Sequence, residues 1–259
     1  MWNVVEACSR GTSHTATGKP CQDAVLVHRF ESLGGPAVAI AIADGAGSAE
    51  RSDLGAQEVV SFLVKSAAAF SGNFGQIKKE DVLLWFDDAR RHLAEQVASA
   101  ANCPVDALAS TAMLAILWET GAAFAHVGDG AWVAQKGEAY VVVTWPFSGE
   151  YANQTKFLTS ADAGEHFVFD LFAERPAAVA GFTDGVQLLA LNFASESAHA
   201  PFYDRLLAPL RGGVAPGELK TALATFLDSS LVNERTDDDK TLVLACWCEP
   251  NPVTHDTKV

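Results

Sequence analysis

The chain is short of positive charge. Its 259 residues carry 18 Lys and Arg against 32 Asp and Glu, a formal net charge of −14 at pH 7. So acidic a molecule repels phosphate backbones and anionic headgroups, which argues against sequence-independent nucleic-acid binding and docking to an anionic membrane. Cysteine is sparse. Cys8, Cys21, Cys103, Cys246 and Cys248 are odd in number and include no C-x-x-C pair, so neither a disulfide framework nor a Cys/His zinc cage is expected. No apolar run reaches the length of a membrane span. The opening MWNVVEACSRGTSH lacks the basic start and long apolar core of a signal peptide. These absences predict a cytoplasmic protein with reduced thiols. Repeats, low-complexity tracts and dividing linkers are also missing. One domain over residues 1–249 and a loose polar tail over 250–259 are therefore expected.

What is present suffices for a sizeable core, since 49% of residues are hydrophobic. The Ala37–Ala43 stretch alternates Val38, Ile40 and Ile42 with alanines, so both faces of an extended strand are apolar. That pattern predicts a strand buried between two layers. Further strands are expected at Val4–Cys8, Ala24–His28, Thr111–Trp118, Ala122–Gly128, Ala131–Gln135, Ala139–Thr144, Ala177–Thr183 and Thr241–Cys248. Thr120-Gly121, Asp129-Gly130 and Lys136-Gly137 stand at hairpin spacing. Ser9–Cys21 reads as a loop, and Trp145–Asp170 as irregular. A helix capped by Ser52 or Asp53 should run to Phe70. Another, over Glu80–Ala100, should bury Val82, Phe86, Ala89, Leu93 and Val97. Pro201–Leu210 and Pro216–Leu231 complete the helices. The class is α+β, with helices over the outer faces of sheets that pack on each other.

Apolar strands run into Asp-Gly three times, at Asp44, Asp129 and Asp184. Asp23 precedes the second strand, and Asp238 the last. An isolated Asp-Gly is an ordinary turn pair, and Gly128-Asp129-Gly130 reads well as a hairpin turn. If the strands are neighbours, however, their ends bring several carboxylates together, and like charges that close raise one another's pKa. Divalent cations remove that penalty, and an all-oxygen set selects hard ions such as Mn2+ or Mg2+.

The order of these motifs resembles that of the metal-dependent protein phosphatases of the 2C class. The resemblance is carried by CQDA (Cys21–Ala24), ADGAGSAERSDLGAQ (Ala43–Gln57), ALASTAML (Ala107–Leu114), HVGDGAWV (His126–Val133), GFTDGV (Gly181–Val186) and DDDKTLVLA (Asp237–Ala245). Gly11–His14 and the GEYAN segment at Gly149–Asn153 are similar to features of the family's compact bacterial branch. The resemblance implies a four-layer α-β-β-α sandwich, two antiparallel sheets face to face with helix pairs outside. It implies two metal ions, Asp44 bridging them, the Gly45 carbonyl on one, and Asp184 and Asp238 completing the set. Asp23 would act close in, and Asp129 would serve a third, looser site. The implied reaction is hydrolysis of phosphoserine and phosphothreonine in proteins by two-metal activation of water, without a phosphoenzyme. The implied partner is a phosphoprotein, a Ser/Thr kinase or its target, met by a monomer.

The chain departs from the family pattern in three places. Gln22 stands for a Glu in the first motif. Ala46 stands for a His after the central Asp-Gly, which removes a candidate general acid. Ala131-Trp132 replace the Arg after the third motif. The first two favour an alternative, a weak or inactive relative acting as a metal- or phosphoprotein-binding regulatory module. His14, in a loop ahead of Asp23, either supplies the missing acid or is a loop hydrogen-bonder. Arg10 is a candidate phosphate clamp or an exposed loop residue. His126, within a strand, is expected to be a satisfied core histidine. Trp145–Leu158 is either a substrate-selecting flap or local packing.

Overall fold

The computed structural model describes residues 1–146 and 155–249. One antiparallel sheet has the order β2 (Ala24–Ser32), β3 (Gly35–Ala43), β4 (Ala112–Trp118), β5 (Ala122–Val127), β8 (Val168–Phe172). The other runs β1 (Trp2–Ser9), β12 (Lys240–Trp247), β9 (Ala178–Phe182), β6 (Ala131–Lys136), β7 (Ala139–Thr144). A two-stranded ribbon joins β10 (Leu191–Asn192) to β11 (Ser197–Ala198). The helices are α1 (Thr12–Thr17), α2 (Ser52–Ala69), α3 (Lys79–His92), α4 (Ala98–Ala101), α5 (Asp184–Ala190), α6 (Ala200–Arg211), α7 (Pro216–Leu227) and α8 (Ser230–Asn233). α2 packs on β2 and β3 with α3 beside it, while α6 and α7 pack on β12 and β1. This is the expected four-layer sandwich.

β3 shows why the layers form. Val38, Ile40 and Ile42 fill the space between the sheets with Met113, Leu117, Phe124, Trp132 and Val243. The intervening Ala37, Ala39, Ala41 and Ala43 face α2, whose Val59, Val60 and Leu63 lie in the same outer cluster. Large side chains span the gap between sheets, and small ones let a helix approach closely. Each fully buried Ile or Leu stabilises the fold by about 1.5–3 kcal/mol.

Several expectations are corrected. Gly128-Asp129-Gly130 is not a hairpin turn: β5 pairs β4 and β8, whereas β6 pairs β7 and β9. The segment carries the chain from one sheet to the other. Gly128 makes that step at φ +129°, a backbone region that favours glycine. The Ser9–Cys21 loop contains α1, ended by Gly18 at φ +71°. Ser52 does not cap α2: the N-cap is Arg51, and Ser52 is buried within the first turn, its Oγ donating to the Ala49 carbonyl at 3.3 Å. The Glu80–Ala100 helix exists as α3 and α4 joined by a π turn at Leu93–Val97. The helix from Pro216 stops at Leu227, before Ser229 leads into α8. β8 begins inside the Trp145–Asp170 stretch expected to be irregular and runs on to Phe172. It is an edge strand, VFDLF, in which Asp170 is the only polar residue, so no apolar–polar alternation marks it. The GEYAN segment, most of the Trp145–Leu158 stretch and the 250–259 tail lie outside the described residues.

Candidate metal centre

Asp44 follows the last residue of β3, and the backbone there is held from both sides. Its amide donates to Thr111 Oγ1 at 2.8 Å, and its carbonyl accepts the Thr111 amide at 2.8 Å. The Gly45 amide donates to the Gln22 carbonyl at 3.1 Å, and the Ala46 amide to the Ala109 carbonyl at 2.9 Å. A Cβ on Gly45 would stand 2.7 Å from the Gln22 carbonyl oxygen and 2.8 Å from that of Ser52, so only glycine fits. Asp184 opens α5 directly after β9, and Asp129 sits on the crossing from β5 to β6. One carboxylate oxygen from each of Asp44, Asp129 and Asp184 falls within 4.8 Å of the others.

Asp23 is buried, and its charge raises the pKa of Asp44. Its Oδ2 accepts from Thr183 Oγ1 at 2.8 Å and from Thr241 Oγ1 at 2.7 Å. Asp238 adjoins the trio electrostatically, since its charge raises the pKa of Asp44, Asp129 and Asp184. The grouping differs from the one the resemblance implies. Asp129 stands in the tight trio and Asp238 outside it, with Asp238 Oδ1 accepting the Asp239 amide at 2.8 Å.

Burial is the first cause of the perturbed acidities. It pushes Asp44 well above the carboxylate range, and Asp23, Asp184, Asp129 and Asp238 push it further. Burial and then the charges of Asp129 and Asp238 raise Asp184 to about 7. Asp129 is raised by burial, partly offset by the Thr155 hydroxyl, which donates to its Oδ2. Among the described residues, none of these carboxylates pairs with a Lys or Arg. Asp23 Oδ1, Asp129 Oδ1 and Asp184 Oδ1 are buried without a hydrogen-bond partner, as is Gln22 Oε1. Buried polar atoms are ordinarily satisfied. Orphaned carboxylate oxygens converging without a cationic side chain are what a hard divalent ion would satisfy, and the all-oxygen donor set fits Mn2+ or Mg2+.

Beside the acids stands a histidine–carboxylate pair. His14, on α1, is buried, and its Nδ1 lies 2.9 Å from Asp239 Oδ2. Asp239 was not singled out. It also accepts the Gly11 amide at 2.6 Å and the Gln22 amide at 2.5 Å, tying the His14 loop to the segment that leads into Asp23. Thr183 and Thr241 were missed too; the signal was a Thr directly before Asp184 and another after the acidic run. Arg10 is exposed. Its guanidinium donates to Thr15 Oγ1 at 3.1 Å and to the Lys19 carbonyl at 3.4 Å, so its bonds lie within its own loop and not on the acids. His126 is buried as expected but is not satisfied: its Nε2 has no partner, and burial lowers its pKa to about 4.

Two face-to-face antiparallel sheets lie between helix layers, with a carboxylate cluster where strands end. The chain belongs to the protein phosphatase 2C family, whose model matches residues 10–228. It is 36% identical over 261 residues to "Serine/threonine-protein phosphatase 3" of Escherichia coli K12, covering 96% of this chain and 99% of that one. Solved structures share the fold. The S. agalactiae serine/threonine phosphatase superposes with a TM-score of 0.70 at 16% identity, covering 96% of this chain and all of that one (100%). The catalytic domain of serine threonine protein phosphatase PstP, in complex with two manganese ions, gives 0.62 at 14% identity, over 96% of this chain and 99% of that one.

Proposed function

We propose that the carboxylate cluster and the His14 loop together form the active site. The reaction class follows from the family: metal-dependent hydrolysis of phosphoserine and phosphothreonine in proteins, with Mn2+ or Mg2+ as cofactor. By the family resemblance, Asp44, the Gly45 carbonyl, Asp184 and Asp238 would hold two ions and Asp129 a third, although Asp129, not Asp238, stands in the tight trio. Asp23 would contribute its unpartnered Oδ1, since its Oδ2 is taken by two threonine hydroxyls. Bound there, the ions supply an activated water and neutralise charge on the phosphoryl oxygens.

The chain's own residues do the rest. Asp239 faces His14 Nδ1 and so fixes which ring nitrogen remains for substrate. His14 Nε2 would then deliver a proton to the leaving alkoxide in place of the side chain that Ala46 lacks. Arg10 is the candidate contact for phosphate oxygens, at the expense of its present bonds to Thr15 and Lys19. Residues 1–249 would act as one catalytic unit, a cytoplasmic monomer opposing a Ser/Thr kinase in signalling. The net charge of −14 supports a protein partner over nucleic acid or an anionic membrane. Among the described residues no helix is long and apolar enough to cross a membrane.

The observation that carries the reading is the set of buried, unpartnered carboxylate oxygens with no Lys or Arg paired to them among the described residues. The test is turnover of a phosphothreonine peptide with Mn2+ and in chelator. Activity should need the metal and vanish in chelator; full turnover in chelator sinks the reading.

A further inference from the structure

Cys8 and Cys21 take no part in the chemistry above, yet they meet beside it. Cys8 lies on β1 opposite Thr241 of β12, whose hydroxyl holds Asp23. Cys21 stands in the segment leading into Asp23. The two Sγ atoms are 3.1 Å apart, and both approach the Asp23 carbonyl, at 3.9 and 4.0 Å. Neither thiol is fully buried. Cys8 lines a cleft of about 820 Å³ between the Ser9–Thr15 stretch and α7, wide enough to admit a small oxidant. Cys246 and Cys248 also approach, at 3.6 Å, but they are alternate residues of one extended segment. There the Cα atoms stand near the limit of about 7 Å that a disulfide tolerates.

We propose that Cys8 and Cys21 form a peroxide-driven, thiol-reversible disulfide that shifts the loop between them and lowers phosphatase turnover. The effect on turnover rests on the assignment of His14 and Asp23 to the active site; the bond itself does not. In the first step the Cys8 thiolate attacks one oxygen of hydrogen peroxide. The O–O bond breaks, Cys8 becomes a sulfenic acid, and the departing hydroxide takes up the thiol proton and leaves as water. In the second step the Cys21 thiolate attacks the sulfenic sulfur. The S–S bond forms, the S–O bond breaks, and a second water leaves. Two thiols are oxidised and one peroxide is reduced. External thiols reverse the bond by exchange, being oxidised in turn.

The consequence for the site is mechanical. A disulfide holds its sulfurs about 2.05 Å apart, so one must move by about 1 Å. Cys8 is fixed in the β1–β12 ladder, which ends at Ser9, and the movement therefore falls on the Arg10–Gln22 segment. That segment carries His14 and the Gln22 amide bound to Asp239. A misplacement of about 1 Å can cost on the order of a hundredfold in rate.

The experiment treats the Mn2+-loaded full chain briefly with hydrogen peroxide. It then maps peptides without reduction and follows phosphothreonine peptide turnover. The expected result is a Cys8–Cys21 linked peptide pair, a fall in turnover of roughly ten- to a hundredfold, and recovery in dithiothreitol. Cys8→Ser should keep its turnover under the same treatment, whereas Cys103→Ser should respond as the unaltered chain does. Absence of the linked pair overturns the proposal whatever the activity. So does a linked pair with unchanged turnover, or an equal loss in Cys8→Ser. A reduced protein without phosphatase activity would overturn the active-site assignment instead, because the peptide map reads the bond independently.

Discussion

At the scale of single residues, charge and its neutralisation dominate. Asp44 is half-buried among four other carboxylates that each raise its pKa. Asp44→Asn removes one of these charges while keeping shape. Turnover should fall on the order of a thousandfold or more, the worth of several kcal/mol of transition-state stabilisation. The same variant should melt higher than the unaltered chain in chelator, because repulsion in the cluster is reduced. Substantial activity in Asp44→Asn would remove it from the centre of the site. His14 calls for a comparison of substrates. An aryl phosphate has a good leaving group and needs little protonation, whereas a serine or threonine alkoxide needs much more. His14→Ala should therefore slow phosphopeptide turnover on the order of a hundred- to ten-thousand-fold and aryl phosphate turnover far less. Equal losses on both would mean that His14, through Asp239, only anchors the loop.

At the scale of elements, the site depends on how closely strand ends approach each other. α5 begins at Asp184 against the start of β12, and a Cβ on Gly185 would stand 2.0 Å from the Asp239 carbonyl oxygen. Backbone cannot yield as the far end of a flexible side chain can. Gly185→Ala should separate α5 from β12, at about 1–3 kcal/mol of stability in a urea titration. It should also depress phosphopeptide turnover, since Asp239 holds His14. An unchanged urea midpoint would show that the two elements separate easily. The β5–β6 crossing makes the same point about topology. As a hairpin turn, Asp129 would stand at the edge of one sheet; as a crossing, it stands between both sheets beside Asp44 and Asp184.

At the scale of the whole molecule, the cluster couples folding to pH and metal. Folded Asp184, raised to about 7, still holds a proton that the unfolded chain releases near its ordinary value of 3.8. Asp23, Asp44 and Asp129 shift in the same direction. Between those values the folded state binds more protons than the unfolded one. Stability from these groups is therefore present at low pH and lost as pH rises towards 7. Calorimetry in chelator should give a higher Tm at about pH 5 than at about pH 7.5, and saturating Mn2+ should reverse the order by binding the ionised carboxylates. A Tm in chelator that rises over this interval would contradict the burial of the cluster.

The sequence by itself determined the layers and the inventory of acids. Alternation in Ala37–Ala43 is a local property, and strands ending in Asp-Gly can be read without knowing what lies beside them. The family resemblance rested on the same local motifs. Tertiary structure alone decided the rest, because contact between distant segments has no local signature. Nothing in Gly128-Asp129-Gly130 says which sheet comes next. Nothing in Asp237-Asp238-Asp239 says that the third acid, not the second, would meet His14 225 residues away in the chain. Nor does the spacing of Cys8 and Cys21 place two sulfurs in contact beside Asp23; the β1–β12 pairing and the path of the α1 loop do that.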